Sequence, residues 1–333
     1  MKNRTANKKN LLVLCFPAIN ILLIILLCIL LTSCTDQQEA VPEASSLFSE
    51  AGEAYRSGEL LTCRELLIRV SDLDQENPNV WRNLGTVNLD LGFYDEAITA
   101  YRNVIALDST RVDILIDVTG ALLGAGRLTE ALHTGQLAIQ LNPGSGIAFN
   151  NYGMALMENG SFEDAAMCFN TALRREPENA SVLYNCGRIT MMAGNMEEAL
   201  LFFQGSVAAN PSFVQPQIEE ARVLGILERH AEAEELILLV LAAAPGNTEA
   251  LNILALTYSL RGRDDEAVVV LQSILLNNPG DLQSRLGLAE SFYSLGDLES
   301  ALENYRFFLR DVQDTVGTSH IRLRIQELEV LCD

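Results

Sequence analysis

Residues 78–111, PNVWRNLGTVNLDLGFYDEAITAYRNVIALDSTR, contain the pattern that decides the fold, and it recurs every 34 residues. The position of Ala97 is alanine in seven of eight repeats: Cys63, Ala97, Ala131, Ala165, Ala199, Ala233, Ala267 and Ala301. The position of Gly92 is glycine in seven of eight: Gly58, Gly92, Gly126, Gly160, Gly194, Glu228, Gly262 and Gly296. A period of this length predicts one array of stacked helical units rather than two separate domains.

Each recurring residue type has a physical reason. Alanine suits a place where two helices cross closely, because a larger side chain would push them apart. Glycine ends a first helix where the backbone must turn left-handed. Proline separates units, since it cannot continue the second helix. Five of the nine prolines fall on this grid: Pro143, Pro177, Pro211, Pro245 and Pro279. Large side chains at the crossings supply buried area: Tyr101, Phe169, Phe203 and Tyr305.

The spacing of Trp81, Leu84, Gly85, Gly92, Tyr94, Ala97 and Tyr101 resembles the tetratricopeptide repeat (TPR), a helix–turn–helix unit of 34 residues. The resemblance implies an all-α, right-handed superhelical solenoid of eight hairpins at residues 44–315. The units are 44–77, 78–111, 112–145, 146–179, 180–213, 214–247, 248–281 and 282–315. In residues 316–333, Ile321, Ile325 and Leu328 share a face, which predicts a C-terminal cap helix. Glu228 replaces the turn glycine of the sixth unit, so we expect a local distortion there.

The amino-terminal segment has the features of an export signal. Basic residues precede the apolar run 11–31, which ends Leu31-Thr32-Ser33-Cys34. This resembles the lipobox of bacterial lipoproteins. The resemblance implies a signal peptide at 1–33, lipidation of Cys34 and a polar tether at 34–43. The alternative is an uncleaved anchor, because a largely apolar run of 21 residues could span a bilayer. Both readings place the body in the cell envelope, facing the periplasm or the exterior. Thr35 favours the outer membrane, if the cell has one.

The charge balance excludes several classes of function. The chain has 23 basic and 44 acidic residues, so a nucleic-acid partner is not expected. Three histidines and no catalytic motif predict no catalytic residues, no metal, no cofactor and no small-molecule substrate. Many acids occupy the two positions before the recurring alanine, where they meet the positive end of the second helix. Cys168 and Cys186 are either a disulfide or two buried thiols.

Candidate partner-binding residues follow from the family. TPR arrays usually bind along the concave face, which is formed by the first helix of each unit. The sixth position carries Asn83, Asn151 and Asn185, whose amides could hold a peptide backbone or could be consensus residues. Methionines at helical spacing there either line an adaptable groove or belong to the core. Two arginines at the ninth position could bind a carboxylate. The full predicted groove is Asn83, Asn150, Asn151, Met154, Met157, Asn185, Arg188, Met191 and Arg222.

Together these features predict a membrane-anchored scaffold that binds protein or peptide partners in the concave groove and is held to the membrane by its lipid anchor. In architecture the chain resembles bacterial TPR lipoproteins that assist type IV pilus and secretin assembly. One alternative is an adaptor that delivers substrates to an envelope protease or hydrolase. An enzyme, or a non-catalytic subunit of one, is the alternative from another class.

Overall fold

The computed structural model describes residues 43–312 and 318–332. The proposed signal peptide 1–33, the lipid site Cys34 and nearly all of the tether 34–43 lie outside this part of the chain. The described residues divide into two compact units, and the division falls between Pro143 and Gly144 in the chain. Throughout these residues the regular structure is helical, with eight hairpins followed by one further helix. The prediction of an all-α fold of eight helical hairpins with a C-terminal helix is confirmed.

The first unit contains three hairpins. Its helices are α1 (43–56), α2 (Leu60–Leu73), α3 (Pro78–Asp90), α4 (Tyr94–Leu107), α5 (Ile114–Gly124) and α6 (Leu128–Leu141). The second unit contains five hairpins and the final helix. Its helices are α7 (Gly146–Glu158), α8 (Phe162–Arg175), α9 (Ala180–Met192), α10 (Met196–Ala209), α11 (Val214–Ile226), α12 (His230–Ala243), α13 (Thr248–Leu260), α14 (Asp264–Asn277), α15 (Leu282–Leu295), α16 (Leu298–Asp311) and α17 (Ser319–Cys332).

The recurring alanines lie at the tightest places of the core. All seven are fully buried, with 0% of their surface exposed, and Cys63 at the same position is 2% exposed. The four large aromatic residues of the pattern are also buried. Phe203 illustrates why a small residue must face each ring. A Cβ atom added to Gly187 of α9 would lie 2.6 Å from Phe203 Cε1. The first and second helices of a hairpin therefore approach through a ring packed on bare backbone.

The hairpin turns share one backbone conformation. The seven turn glycines have φ between +69° and +85°, the left-handed region that glycine adopts without strain. Glu228 takes the same conformation, with φ of +59°. The turn hydrogen bond also persists, since Arg229 N donates to Leu224 O at 2.9 Å. The expected distortion of the sixth hairpin is therefore wrong. The packing of α11 on α12 imposes the turn on a residue that disfavours it.

The final helix closes the second unit. Ile321, Ile325 and Leu328 of α17 join a core cluster with Tyr305 of α16 and are 2%, 9% and 0% exposed. Arg324 Nη1 donates to Tyr293 Oη at 2.9 Å, and Arg306 pairs with Glu329. This apolar face covers the side of the last hairpin on which no further repeat is stacked. Within residues 43–312 and 318–332, no helix is both long enough and apolar enough to cross a bilayer.

Acidic residues begin every second helix except α2, as the pattern predicts. First-turn carboxylates are present in α4, α6, α8, α10, α12, α14 and α16. In α6 and α12 the residue before the helix is an arginine that forms a two-pronged hydrogen bond with the carboxylate three residues later. Arg127 donates to Glu130 at 2.7 and 2.8 Å, and Arg229 donates to Glu232 at 2.7 Å through both nitrogens. These guanidinium groups lower the pKa of both exposed glutamates.

Candidate functional site

Most of the predicted groove residues meet in the second unit, on the first helices of the fourth and fifth repeats. Both helices have a side-chain cap, because Ser145 accepts from Ala148 N, and Asn179 accepts from Ser181 N and Val182 N. Between α7 and α9 lies a cavity of about 340 Å³, which we call the first-helix cavity. Its lining includes five predicted residues: Asn150, Asn151, Met154, Asn185 and Arg188.

A chain of amide hydrogen bonds crosses this cavity. Asn185 Nδ2 donates to Asn150 Oδ1 at 2.9 Å, and Asn150 Nδ2 donates to Asn151 Oδ1 at 3.3 Å. Asn150 and Asn185 are only 4% and 3% exposed. Asn185 Oδ1 is buried without a hydrogen-bond partner in the structure. An unpartnered buried acceptor is costly in free energy.

A cation and two aromatic rings stand beside the amides. The Arg188 guanidinium carbon lies 5.6 Å from the Tyr184 ring centroid, within the range of a cation–π contact. Phe213 meets the Tyr184 ring edge-on, with centroids 5.2 Å apart. Burial raises the pKa of the Tyr184 hydroxyl. Across the described ranges, Arg188 forms no ion pair with a carboxylate. The cavity therefore combines a cation, amides and apolar ring surface.

Phe213 and Tyr184 were not among the predicted groove residues. A signal for Phe213 existed in the repeat pattern. The residue just before the first helix is a side-chain cap in five repeats: Asn77, Ser145, Asn179, Asn247 and Asp281. Phe213 occupies the corresponding place before α11 and provides no side-chain cap. Loss of such a cap costs about 1 kcal/mol, so this phenylalanine replaces a stabilising residue with one that lines the cavity.

The other predicted residues lie in different surroundings. Met157 is 7% exposed and belongs to the core, while Met191 is partly buried against the cluster around Leu200 and Phe203. Arg222 is engaged by two carboxylates, Glu219 at 3.0 Å and Glu249 at 2.6 Å. It is therefore not an unpaired cation.

Asn83 is exposed on α3 of the first unit. It lines a separate cavity of about 300 Å³ with Phe48 and Tyr55. The roles of all these residues in binding stay predictions.

The titratable and nucleophilic groups are dispersed. In the described ranges no three His, Cys, Asp or Glu side chains are grouped so that they could hold a metal ion. Cys63, Cys168 and Cys186 are free thiols. Burial raises the pKa of Cys168 to about 11 and that of Cys186 to about 12, so both are protonated at neutral pH.

Comparisons with known proteins agree with this architecture. The tetratricopeptide repeat family matches residues 82–146 and 152–212. No curated protein is significantly similar in sequence. These two segments match tetratricopeptide repeats, a kind of repeat that generally binds protein partners.

Solved structures show the same fold. In the APC/C hetero-tetramer Cut9–Hcn1, the matching chain has a TM-score of 0.69 and 15% identity over 86% of this chain. This chain spans 56% of the length of that one. A tetratricopeptide repeat protein from Parabacteroides merdae ATCC 43184 has a TM-score of 0.54 and 16% identity, covering 77% of this chain and 99% of its own. PilF from Pseudomonas aeruginosa has a TM-score of 0.55 and 20% identity, covering 65% of this chain and 98% of its own.

Proposed function

We propose that this protein is a non-catalytic scaffold that holds a segment of a partner protein in the first-helix cavity. The observation that carries the proposal is the lining of this cavity, where Arg188, which has no ion pair within the described residues, stands with Tyr184 and Phe213. Asn150 and Asn185 of the same lining are buried and joined to each other by a hydrogen bond, so they form a fixed wall behind these partly exposed groups. A guanidinium without a partner carboxylate can form charge-assisted hydrogen bonds with a ligand.

The chemistry of the cavity fits an extended peptide. The partly buried amide of Asn151 can exchange hydrogen bonds with a peptide backbone of any sequence. The Arg188 guanidinium can donate to a carboxylate or a backbone carbonyl of the same segment. Phe213, Tyr184 and Met154 offer ring and thioether surface to an apolar side chain. Hydrogen bonds to the peptide backbone would supply affinity for any sequence, and contacts with the peptide side chains would supply preference for particular sequences.

Affinity capture with two matched variants tests this proposal. Arg188→Ala and Asn151→Ala change partly exposed lining residues, so the fold is expected to survive. Arg175→Ala is the control, because Arg175 is exposed on α8 and does not line the cavity. We expect the wild-type chain and the Arg175 variant to recover the same partner, identified by mass spectrometry, and the two cavity variants to lose it. Equal recovery by all four proteins would exclude the cavity as the binding site.

We further propose that Cys34 carries a lipid anchor and that the body lies in the cell envelope. The support is the sequence Leu31-Thr32-Ser33-Cys34 after a basic and apolar leader. The lysine content offers a direct test, because the only lysines are Lys2, Lys8 and Lys9. An amine-reactive dye would label an uncleaved chain at these lysines. It would not label a mature chain whose Cys34 amine is acylated. Mass spectrometry of the amino terminus, with Cys34→Ala as control, identifies the form present.

Within the envelope we propose a role in assembling pilus or secretion machinery, most simply at the outer membrane. The support is architectural: a lipoprotein-type leader joined to an uninterrupted TPR array. Deletion of the gene is expected to impair assembly of a surface structure without changing the turnover of envelope proteins. The opposite pattern, altered turnover with intact surface structures, would favour an adaptor for a protease or hydrolase.

A further inference from the structure

A second open groove lies in the same unit, away from the first-helix cavity. It runs between the second helices α8 and α10, with α9 as its floor, and has a volume of about 530 Å³. Most of its lining is apolar, and Phe162 and Met192 are 42% and 52% exposed at its edge. We call it the Ala166 groove. Its size is within the range of about 300–1,000 Å³ that is usual for ligand sites.

The groove exists because one repeat lacks a side chain that the others have. The residue after the recurring alanine is Ala166 in the fourth repeat. In the other seven repeats it is larger: Arg64, Ile98, Leu132, Leu200, Glu234, Val268 and Leu302. In the fifth repeat, Leu200 is 5% exposed and packs with Val223 and Leu224 of the next first helix. The residues equivalent to these two are Ile189 and Thr190, which line the groove opposite Ala166.

The charges around the groove have one sign. Glu163 and Glu198, in the first turns of α8 and α10, both belong to its lining, which contains no lysine or arginine. Both carboxylates are exposed, and neither forms an ion pair within the described part of the chain. The whole chain has a net charge of −21, which further disfavours an acidic occupant. An apolar floor between two carboxylates is complementary to an apolar side chain flanked by cations.

We propose that the Ala166 groove docks a partner segment that places an aromatic or branched aliphatic side chain beside arginine or lysine. The apolar side chain fills the space that leucine occupies in the third, fifth and eighth repeats. The cations pair with Glu163 and Glu198 at the mouth. This surface is separate from the first-helix cavity, so the array can hold two segments at once.

Fluorescence anisotropy with short labelled peptides tests the proposal on the full chain reconstituted in lipid nanodiscs. The probes are three capped peptides that contain Arg-Phe-Leu-Arg, Glu-Phe-Leu-Glu or Arg-Ser-Ser-Arg. We expect the first peptide to bind, and the other two to bind at least about tenfold more weakly. Failure of the first peptide to bind, or equal binding of all three, would overturn the proposal.

Two variants locate the site. Ala166→Leu introduces the residue found at this position in three other repeats, so it should fill the groove without disturbing the fold. This variant is expected to bind the first peptide at least about tenfold more weakly than the wild type does. Its melting temperature should be unchanged or higher. The double variant Glu163→Gln/Glu198→Gln changes exposed residues and is expected to weaken binding about threefold and to reduce its salt dependence.

The control for these variants is Met167→Ala, because Met167 is 65% exposed on α8, next to Ala166 in sequence but outside both linings, and this variant should leave peptide affinity unchanged. If the control variant lowered peptide affinity as strongly as Ala166→Leu does, the peptide would be binding outside the Ala166 groove. If Ala166→Leu and the double glutamine variant both bound like wild type, the groove would not be the docking site.

Discussion

Substitutions at Glu228 can separate the effect of backbone strain from the effect of the side-chain charge on the stability of the sixth hairpin. Its φ of +59° costs a residue with a Cβ atom about 1–2 kcal/mol relative to the right-handed region. Glycine removes that cost but adds about 0.4–1 kcal/mol of conformational entropy to the unfolded chain. We therefore expect Glu228→Gly to stabilise the sixth hairpin by about 0.5–1 kcal/mol.

A second variant at the same site controls for charge. Glu228→Ala removes the carboxylate from a strongly acidic chain but keeps the Cβ atom and hence the strain. It should change stability little. Gly160→Ala supplies the reverse test, because Gly160 has φ of +80° and a Cβ atom there would meet nothing within 4 Å. Only the backbone conformation opposes this alanine, and we expect it to destabilise the fourth hairpin by about 1 kcal/mol.

Hydrogen exchange is the suitable assay, because long repeat arrays do not unfold in one step. Protection of amides in α11 and α12 reports the sixth hairpin, and protection in α7 and α8 reports the fourth. Urea denaturation midpoints of the whole chain provide a second measure. The reasoning would be refuted if Glu228→Ala stabilised the hairpin as much as Glu228→Gly, since relief of charge repulsion would then explain the gain.

Three further predictions concern the core. Ala97→Leu should destabilise its hairpin by about 1–3 kcal/mol, because Ala97 is 0% exposed at the helix crossing. Amide hydrogen exchange in α3 and α4 measures this loss of stability. Burial raises the pKa of Tyr101 to about 12, so its contribution to stability is complete below pH 10 and is lost as pH rises towards 12. Urea denaturation between about pH 10 and pH 12 should show that the free energy of unfolding falls less steeply with pH in Tyr101→Phe than in the wild type. The Cys186 thiol should resist alkylation by iodoacetamide at pH 8 until urea unfolds the chain. Peptide mapping measures the alkylated fraction, and an alkylated Cys186 in the folded chain would contradict this prediction.

The periodic residues determine most of the fold without reference to three-dimensional structure. Alanine, glycine and proline at fixed spacing place the crossings, turns and breaks between hairpins, because each is required by local geometry. The same argument located the apolar face of α17. Glu228 shows the limit of this reasoning. A hairpin held by packing on both sides keeps its turn even when the turn residue disfavours it.

The candidate site depends on contacts between repeats that the period does not specify. The sequence places Asn151 and Asn185 at the same position of successive repeats, yet the bond that forms joins Asn185 to Asn150, 35 residues apart. Neighbouring helices are offset, so the fifth position of one repeat meets the sixth position of the next. Which cation remains unpaired is decided in the same way, since only the folded chain brings Glu249 to Arg222 and leaves Arg188 without an ion pair in the described residues.

The sequence alone therefore determined the repeats, their turns and the closing helix, because those features arise from interactions within one hairpin or at its edge. Tertiary structure decided which amides pair, which arginine is neutralised and where Ala166 leaves a groove. Each of these depends on side chains from different helices that meet only when the hairpins stack, and a missing side chain opens a groove only where its neighbours do not fill the space.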